Sequence, residues 1–341
     1  MAKLLFAGSR TDSITVVFGS LSEDTSYIDG TYSDAGINVA YGAMKIQCYD
    51  PAAAPLLTDY SVPAGSALYF HSYVGMNFNG AGYSGDCLTF FDSAGYPWVK
   101  LQYTGQFQYN SGTGAAPVWT NFGSNTYGMP GINRSPVAMD IQIKIDSGGN
   151  HTLFMAVNSI QAVATAEFVQ PLMTNLSYAE IQHDPQNTEC VWSQIMMTEN
   201  ISTVGGHVAT ARATGAGAHS DWSGTYTDVN EVATNNTTYN QALTAGLLQS
   251  YPMGNITVPA GCRIQGVFNW MIAKNDGTSP NNIASLIRTA AAVDHASADL
   301  NGLGIAFAGL GAMYPVNPDT SAAWTQTDWN APVQLGFVSE V

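Results

Sequence analysis

Charge is what this chain has least of. It carries 10 Lys and Arg and 25 Asp and Glu in 341 residues, where an average soluble domain has about a quarter of its positions charged. Mean hydropathy is nevertheless zero, so Ser, Thr, Asn and 34 Gly must supply the polar surface. The shortage of cations excludes a nucleic-acid partner, because a net charge of −15 repels phosphate backbones and no basic stripe interrupts it. Long apolar runs are missing as well. The best stretch, between Asp299 and Asp319, is broken by Asn301, Pro315 and Asn317, which leaves it short of the roughly 20 apolar residues of a membrane span. The amino-terminal MAKLLFAGSR has too short an apolar core for a signal peptide, so classical secretion is not expected.

Cysteine offers little more. Cys48, Cys87, Cys190 and Cys262 lie far apart with no CxxC pair, which excludes a zinc ribbon and a dithiol redox motif. In a reducing cytosol they are expected to stay reduced, as small buried hydrophobes.

What the chain does have is strand grammar. Met139 to Asp146 (MDIQIKID) sets Ile141, Ile143 and Ile145 on one face, with Asp140, Gln142 and Lys144 on the other. That period of two marks a half-buried antiparallel strand. Thr152 to Ala156 and Ser159 to Phe168 follow at hairpin distance across Ser147-Gly148-Gly149-Asn150, a tight-turn sequence. Further strands are expected at Ser13 to Phe18, Gly254 to Pro259 and Cys262 to Ala273, with a hairpin turn at Asn275-Asp276-Gly277. Asn282 to Val293 could form a short helix, and Ser321 to Asn330 a helical turn. The expected class is all-β: two tandem antiparallel β-sandwich (jelly-roll-like) domains, 1–170 and 171–341, divided at Pro171, which cannot donate to a sheet.

The strand–turn–strand segment Met139 to Phe168 resembles the concanavalin A-like or laminin-G-like jelly roll. That likeness implies two stacked sheets with a glycan-binding rim. In the second half, Ser220 to Glu231 (SDWSGTYTDVNE), Asn236 to Tyr239 (NTTY) and Asn317 to Phe337 (NPDTSAAWTQTDWNAPVQLGF) resemble β-sandwich domains of tailed-bacteriophage virion structural proteins. This second resemblance implies a particle component made in the host bacterial cytoplasm; the scarcity of Lys, Glu and Leu fits a place on the virion exterior, as capsid decoration or as a tail appendage that binds receptors. Its partners would then be other virion proteins, further copies of itself as a trimer or larger homo-oligomer, and host surface polysaccharide.

Catalytic signals are sparse. There is no GxSxG, HExxH, Walker A or EF-hand loop, and the six histidines show no ligand spacing; His219 beside Asp221 is the nearest pair of interest. Gly80, Gly82 and Gly85 spell GxGxxG but lead into a strand-like segment, against a dinucleotide site. Asp140 and Asp146 are too far apart on one strand to act as a glycosidase pair, although either could meet a residue of a neighbouring strand. The expected mechanism is therefore binding by shape and multivalency, without chemistry. The alternative is a capsular polysaccharide depolymerase or another glycan-active jelly-roll enzyme.

For glycan stacking the candidates are Trp98, Tyr103, Tyr109, Trp119 and Tyr127, interleaved with amides; filling the core or a subunit interface is the commoner fate of such rings. For a calcium ion the candidate ligands are Asp86, Asp92, Asp146 and Asn150, hard oxygen donors in loops, where acidic residues are more often simply solvated. No other cofactor is expected.

Overall fold

Alternation along the chain becomes sidedness in the computed structural model, which describes residues 3–8, 13–29, 34–78, 85–122, 137–183, 188–231, 236–277, 280–300 and 303–341. The protein is nearly all-β, with 49% of residues in strands and 3% in helix. It forms two compact units: Met1–Asp50 with Asp59–Val208, and Pro51–Thr58 with Ala209–Val341. Among the described residues no helix is long and apolar enough to cross a membrane.

The first unit contains β1 (Lys3–Gly8), β2 (Thr15–Asp29), β3 (Asp34–Gln47), β4 (Val62–Pro63), β5 (Ala67–Phe78), β6 (Asp86–Phe91), β7 (Pro97–Gln102), β8 (Phe107–Asn110), β9 (Trp119–Asn121), β10 (Val137–Lys144), β11 (Asn150–Val157), β12 (Ile160–Val169), β13 (Asn175–Leu176), β14 (Tyr178–His183) and β15 (Thr188–Glu199). One sheet runs in the order β12-β11-β10-β5-β15-β3-β14-β6-β7-β8-β9, with β1 on β15 and β2 on β3. Its two ends fold over each other. Phe70 of β5 meets Phe90 of β6 edge-on at 5.8 Å, and Phe168 of β12 lies 5.1 Å from Tyr109 of β8. Strands that far apart in the ladder can touch only through their faces, so the sheet makes two stacked layers with Ile141, Ile143, Leu153, Met155, Phe107 and Trp192 buried between them.

Pro171 does not separate the units. Past it, β14 inserts between β3 and β6 and β15 between β5 and β3, at the centre of the first unit's sheet. The passage to the second unit comes after Val208 instead.

The second unit contains β16 (Leu248–Pro252), β17 (Val267–Ala273), β18 (Asn282–Arg288), β19 (Asp294–Leu300), β20 (Ala308–Tyr314), α1 (Gln326–Asn330) and β21 (Gln334–Glu340). They form a sheet β16-β21-β18-β19 and a ribbon β17-β20. A buried polar link joins the two: Asn269 Nδ2 and the Tyr314 hydroxyl both donate to Ser285 Oγ, at 2.8 and 2.9 Å. Around it pack Val267, Ile283, Ile287, Trp324, Trp329 and Leu335.

Two expectations fail here for identifiable reasons. Asn282 to Val293 is not helical, because β18 lies between β21 and β19 with Ile283 to Ile287 all buried, and an apolar run reads alike for a buried strand and a buried helix. Gly254 to Pro259 is not a strand. Side chains of α1 take its backbone groups instead, Asn330 Oδ1 accepting from Ile256 N at 3.0 Å and Gln326 Oε1 from Val258 N at 3.0 Å. The Asn275-Asp276-Gly277 turn joins strands of different sheets rather than a hairpin. Cys48, Cys87 and Cys190 are buried as expected, but Cys262 is exposed.

Ion pairs fasten loops to β19. Asp294 takes His219 Nε2 at 2.9 Å and Arg288 at 2.8 Å, and Asp319 takes His295 Nε2 at 2.7 Å. Partial burial works against the Asp294 carboxylate, but the bonds and charges of Arg288 and His219 outweigh it and hold the group below its usual range. The nearby Thr289 hydroxyl, with His295 behind it, does the same for Asp319 despite slight desolvation.

Two outcomes follow from this packing. Phe70→Ala should cost about 3–5 kcal/mol in chemical denaturation, as truncation of a fully buried ring does; a loss below about 1 kcal/mol would contradict the two-layer core. Carboxyls lowered on folding stabilise above their unfolded pKa, near 3.9, and lose that contribution as pH falls through the folded value. The Asp294→Asn, Asp319→Asn double variant should therefore lose stability at neutral pH and show a flatter acid limb than the parent; parallel limbs would refute the assignment.

Candidate functional site

The outer face of the first layer is set by the register of β10. Against β5 its partners are Asp140 with His71, Gln142 with Tyr69 and Lys144 with Ala67. Against β11 they are Asp140 with Ala156, Gln142 with Phe154 and Lys144 with Thr152, and Thr152 in turn opposes Glu167 on β12. On the other side of β5, β15 places Thr198 beside Tyr69, Met196 beside His71 and Ser193 beside Tyr73. Directly opposed residues share a face, so these side chains form cross-strand rows on the side away from Ile141, Ile143 and Phe70.

One row joins Phe154, Gln142 and Tyr69, all half-buried, with Gln142 Nε2 donating to the Tyr69 hydroxyl at 2.9 Å. The neighbouring row carries Glu167, Thr152 and Lys144, of which Glu167 and Lys144 are exposed. Two partly accessible rings bracketing an amide can stack on the flat faces of sugars and hydrogen-bond their hydroxyls.

The row beyond is closed to solvent. His71 and Asp140 are buried, and His71 Nδ1 lies 2.8 Å from Asp140 Oδ1. A carboxylate oxygen can only accept, so Nδ1 carries the proton. The Tyr73 ring stands 5.6 Å from His71 and the His207 ring 6.5 Å. At this level the β5–β15 register slips between Ser193 and Met196, and one of the two residues in the slip, Gln194, adopts φ +51°. That conformation is uncommon for a non-glycine residue.

The sequence candidates for stacking do not share this face. Trp98 and Tyr103 are 2% and 4% exposed. Trp98 Nε1 donates to Asp92 Oδ2 at 2.8 Å, and the Tyr103 hydroxyl to Gln182 O at 2.6 Å. Both rings are interior and offer no surface to a sugar. Tyr109 packs between the layers against Phe122 and Phe168. Trp119 is half-buried with Lys100 Nζ 4.2 Å over its ring. Tyr127 lies outside the described residues.

The calcium candidates are likewise occupied. Asp86 pairs with Lys100 at 3.0 Å. Asp92 accepts from Ala94 N, Tyr96 N and Trp98, holding its own turn. Asp146 accepts from Gly148 N, and Asn150 opens β11, exposed. Among the described residues no three His, Cys, Asp or Glu come together to hold a metal ion. His219 pairs with Asp294 rather than with Asp221.

Sequence reasoning passed over Tyr69, His71, Gln142 and Phe154. The signal was partial: Asp140 stood on the polar side of its strand and lacked a partner. Finding that partner required reading ALYFHSYV as alternating, with Tyr69, His71 and Tyr73 on one side.

No family model matches the chain, and no curated protein matches it. Solved structures do. An endo-β-1,4-glucuronan lyase from the fungus Trichoderma reesei matches at 11% identity and a TM-score of 0.36, over 56% of this chain and 94% of its own. A GH131 β-glucanase catalytic domain from Podospora anserina matches at 13% and 0.28, over 57% and 84%. A botulinum neurotoxin type C structure, described by its interaction with two ganglioside molecules, matches at 9% and 0.38, over 99% and 98%. The expectation that this chain performs no chemistry is not upheld: a polysaccharide lyase and a glucanase stand among the matches.

Proposed function

We propose that the chain is a glycan-binding protein, and that the outer face of β12-β11-β10-β5-β15 receives the glycan. The observation that carries this reading is the Phe154–Gln142–Tyr69 row, two partly exposed rings around a hydrogen-bonding amide on a rigid, doubly paired strand. Sites built on strands hold their geometry better than sites on loops. Thr152, Lys144 and Glu167 extend the row with further hydrogen-bonding groups.

The second part of the reading concerns placement, on the exterior of a tailed-phage particle as decoration or tail appendage, in homo-oligomers of three or more. The phage-like strings support it by acting together in the second unit. Trp222 Nε1 donates to Leu247 O at 3.0 Å, Trp324 Nε1 to Tyr314 O at 2.9 Å, and Trp329 Nε1 to Gly254 O at 3.1 Å. Thr325 and Asp328 form a capping box on α1. Residues of the phage-like strings thus take part in closing the second unit.

Each part has its own test. Tyr69→Ala and Phe154→Ala should each weaken binding to a glycan array ligand about tenfold, while Tyr178→Ala on the second layer leaves it unchanged; equal affinities for all three would remove the binding face. Antibody raised against the chain and carried on gold should label intact particles at head or tail. Particles without label, beside a labelled denatured control, would refute the placement.

A further inference from the structure

His71 Nε2, Asp140 Oδ2 and Ser193 Oγ are buried and have no hydrogen-bond partner among the described residues. Their residues are 0%, 2% and 0% exposed. Buried polar atoms are nearly always paired, so three unpaired ones on adjacent strands call for an explanation. They lie on three successive strands, in two neighbouring rows of one face. His71 and Asp140 oppose each other across β5 and β10. Ser193 on β15 opposes Tyr73, the next residue after His71 on the same face of β5.

We infer that this patch is a subsite for a neutral, polyhydroxylated sugar residue, the terminal unit of a glycan lying along the Tyr69–Phe154 row; it rests on the reading of that face as glycan-binding. The donor and acceptor inventory selects the ligand. Asp140 Oδ2 accepts only. With Nδ1–H committed to Asp140, His71 Nε2 accepts in the neutral ring and donates in the protonated one, and the Ser193 hydroxyl can do either. One acceptor and two adaptable groups match a ligand that both donates and accepts, as the hydroxyls of a sugar ring do. A uronate, sulfate or phosphate would bring acceptors and negative charge against Asp140, in a chain of net charge −15. Tyr69 and His71 are two residues apart on β5, about 6.8 Å, so a unit that follows the one stacked on Tyr69 and turns along β5 reaches the patch.

In the structure the patch is roofed by the chain leaving β15. Gly206 N donates to Thr203 O at 2.6 Å, closing a turn. His207 Nδ1 and Val208 N both lie 3.4 Å from Gln194 Oε1. Val204 and Gly205 at the tip of the turn are exposed and Gly205 has φ +77°, and entry of the sugar requires this turn to move aside.

The test is calorimetric titration of the full chain with cello-, manno- and galacto-oligosaccharides and with uronate oligosaccharides of equal length. The tightest neutral ligand should bind at least tenfold better than any uronate. Asp140→Asn and Ser193→Ala should each weaken it roughly tenfold or more. Should Asp140→Asn not fold, Ser193→Ala removes an oxygen that has no partner and reads the affinity in an intact protein. Uronates binding better than neutral ligands would overturn the subsite. So would full affinity in the Asp140 and Ser193 variants alongside a loss in Tyr69→Ala, since the three atoms would then hold solvent alone. If Tyr69→Ala also binds unchanged, the glycan-binding face itself falls, and the subsite with it.

Discussion

Burial of Ile141, Ile143, Leu153, Met155 and Phe70 between the two layers of the first unit decides what the solvent side of those strands displays. Side chains alternate with a period of two, so a slip of one residue in β10 would exchange Ile141 and Ile143 for Asp140 and Gln142 in the core. Apolar burial of about 1.5–3 kcal/mol for each such side chain forbids that slip. With the register so held, Gln142 must stand beside Tyr69 and Phe154, and Asp140 beside His71. The polar rows are consequences of the apolar ones.

Within the same unit another buried carboxylate shows what completion looks like. Glu199 is 3% exposed and accepts from Ser66 Oγ at 2.6 Å and from the Tyr60 hydroxyl at 2.8 Å. Lys3 Nζ lies 3.9 Å from it, so β1, β15 and the segment leading into β5 are tied through one satisfied charge. The His71–Asp140 pair has one good hydrogen bond and two unmet atoms at equal depth. In a low-dielectric interior a partly met network is costly, whereas a satisfied one rigidifies. That contrast separates a structural network from one arranged to receive something.

How much was legible follows from the same physics. MDIQIKID announced its strand and both faces, and TLFMA its neighbour, because one side of each is buried and the other is not. The all-β class followed from such runs. The passage between units was not legible at Pro171, since whether a strand returns to an earlier sheet depends on pairings distant in sequence: β14 lies beside β3 at Glu180 and Lys45, more than a hundred positions apart. For the same reason the rings expected to stack on glycans were chosen by local composition, and Trp98 and Tyr103 turned inward to bond Asp92 and Gln182. The pairing of His71 with Asp140 spans 69 positions and left no local trace beyond the alternation of each strand.

The account rests on the outer face of β12-β11-β10-β5-β15 as the place where a glycan lands. Amide hydrogen exchange of the full chain with and without a saturating neutral oligosaccharide tests this most directly. Added protection should concentrate in Ala67–Phe78, Val137–Lys144 and Asn150–Val157, the strands β5, β10 and β11, and in the turn after β15. Protection confined to β6, β7 and β14 on the opposite layer, or to the second unit, would contradict it.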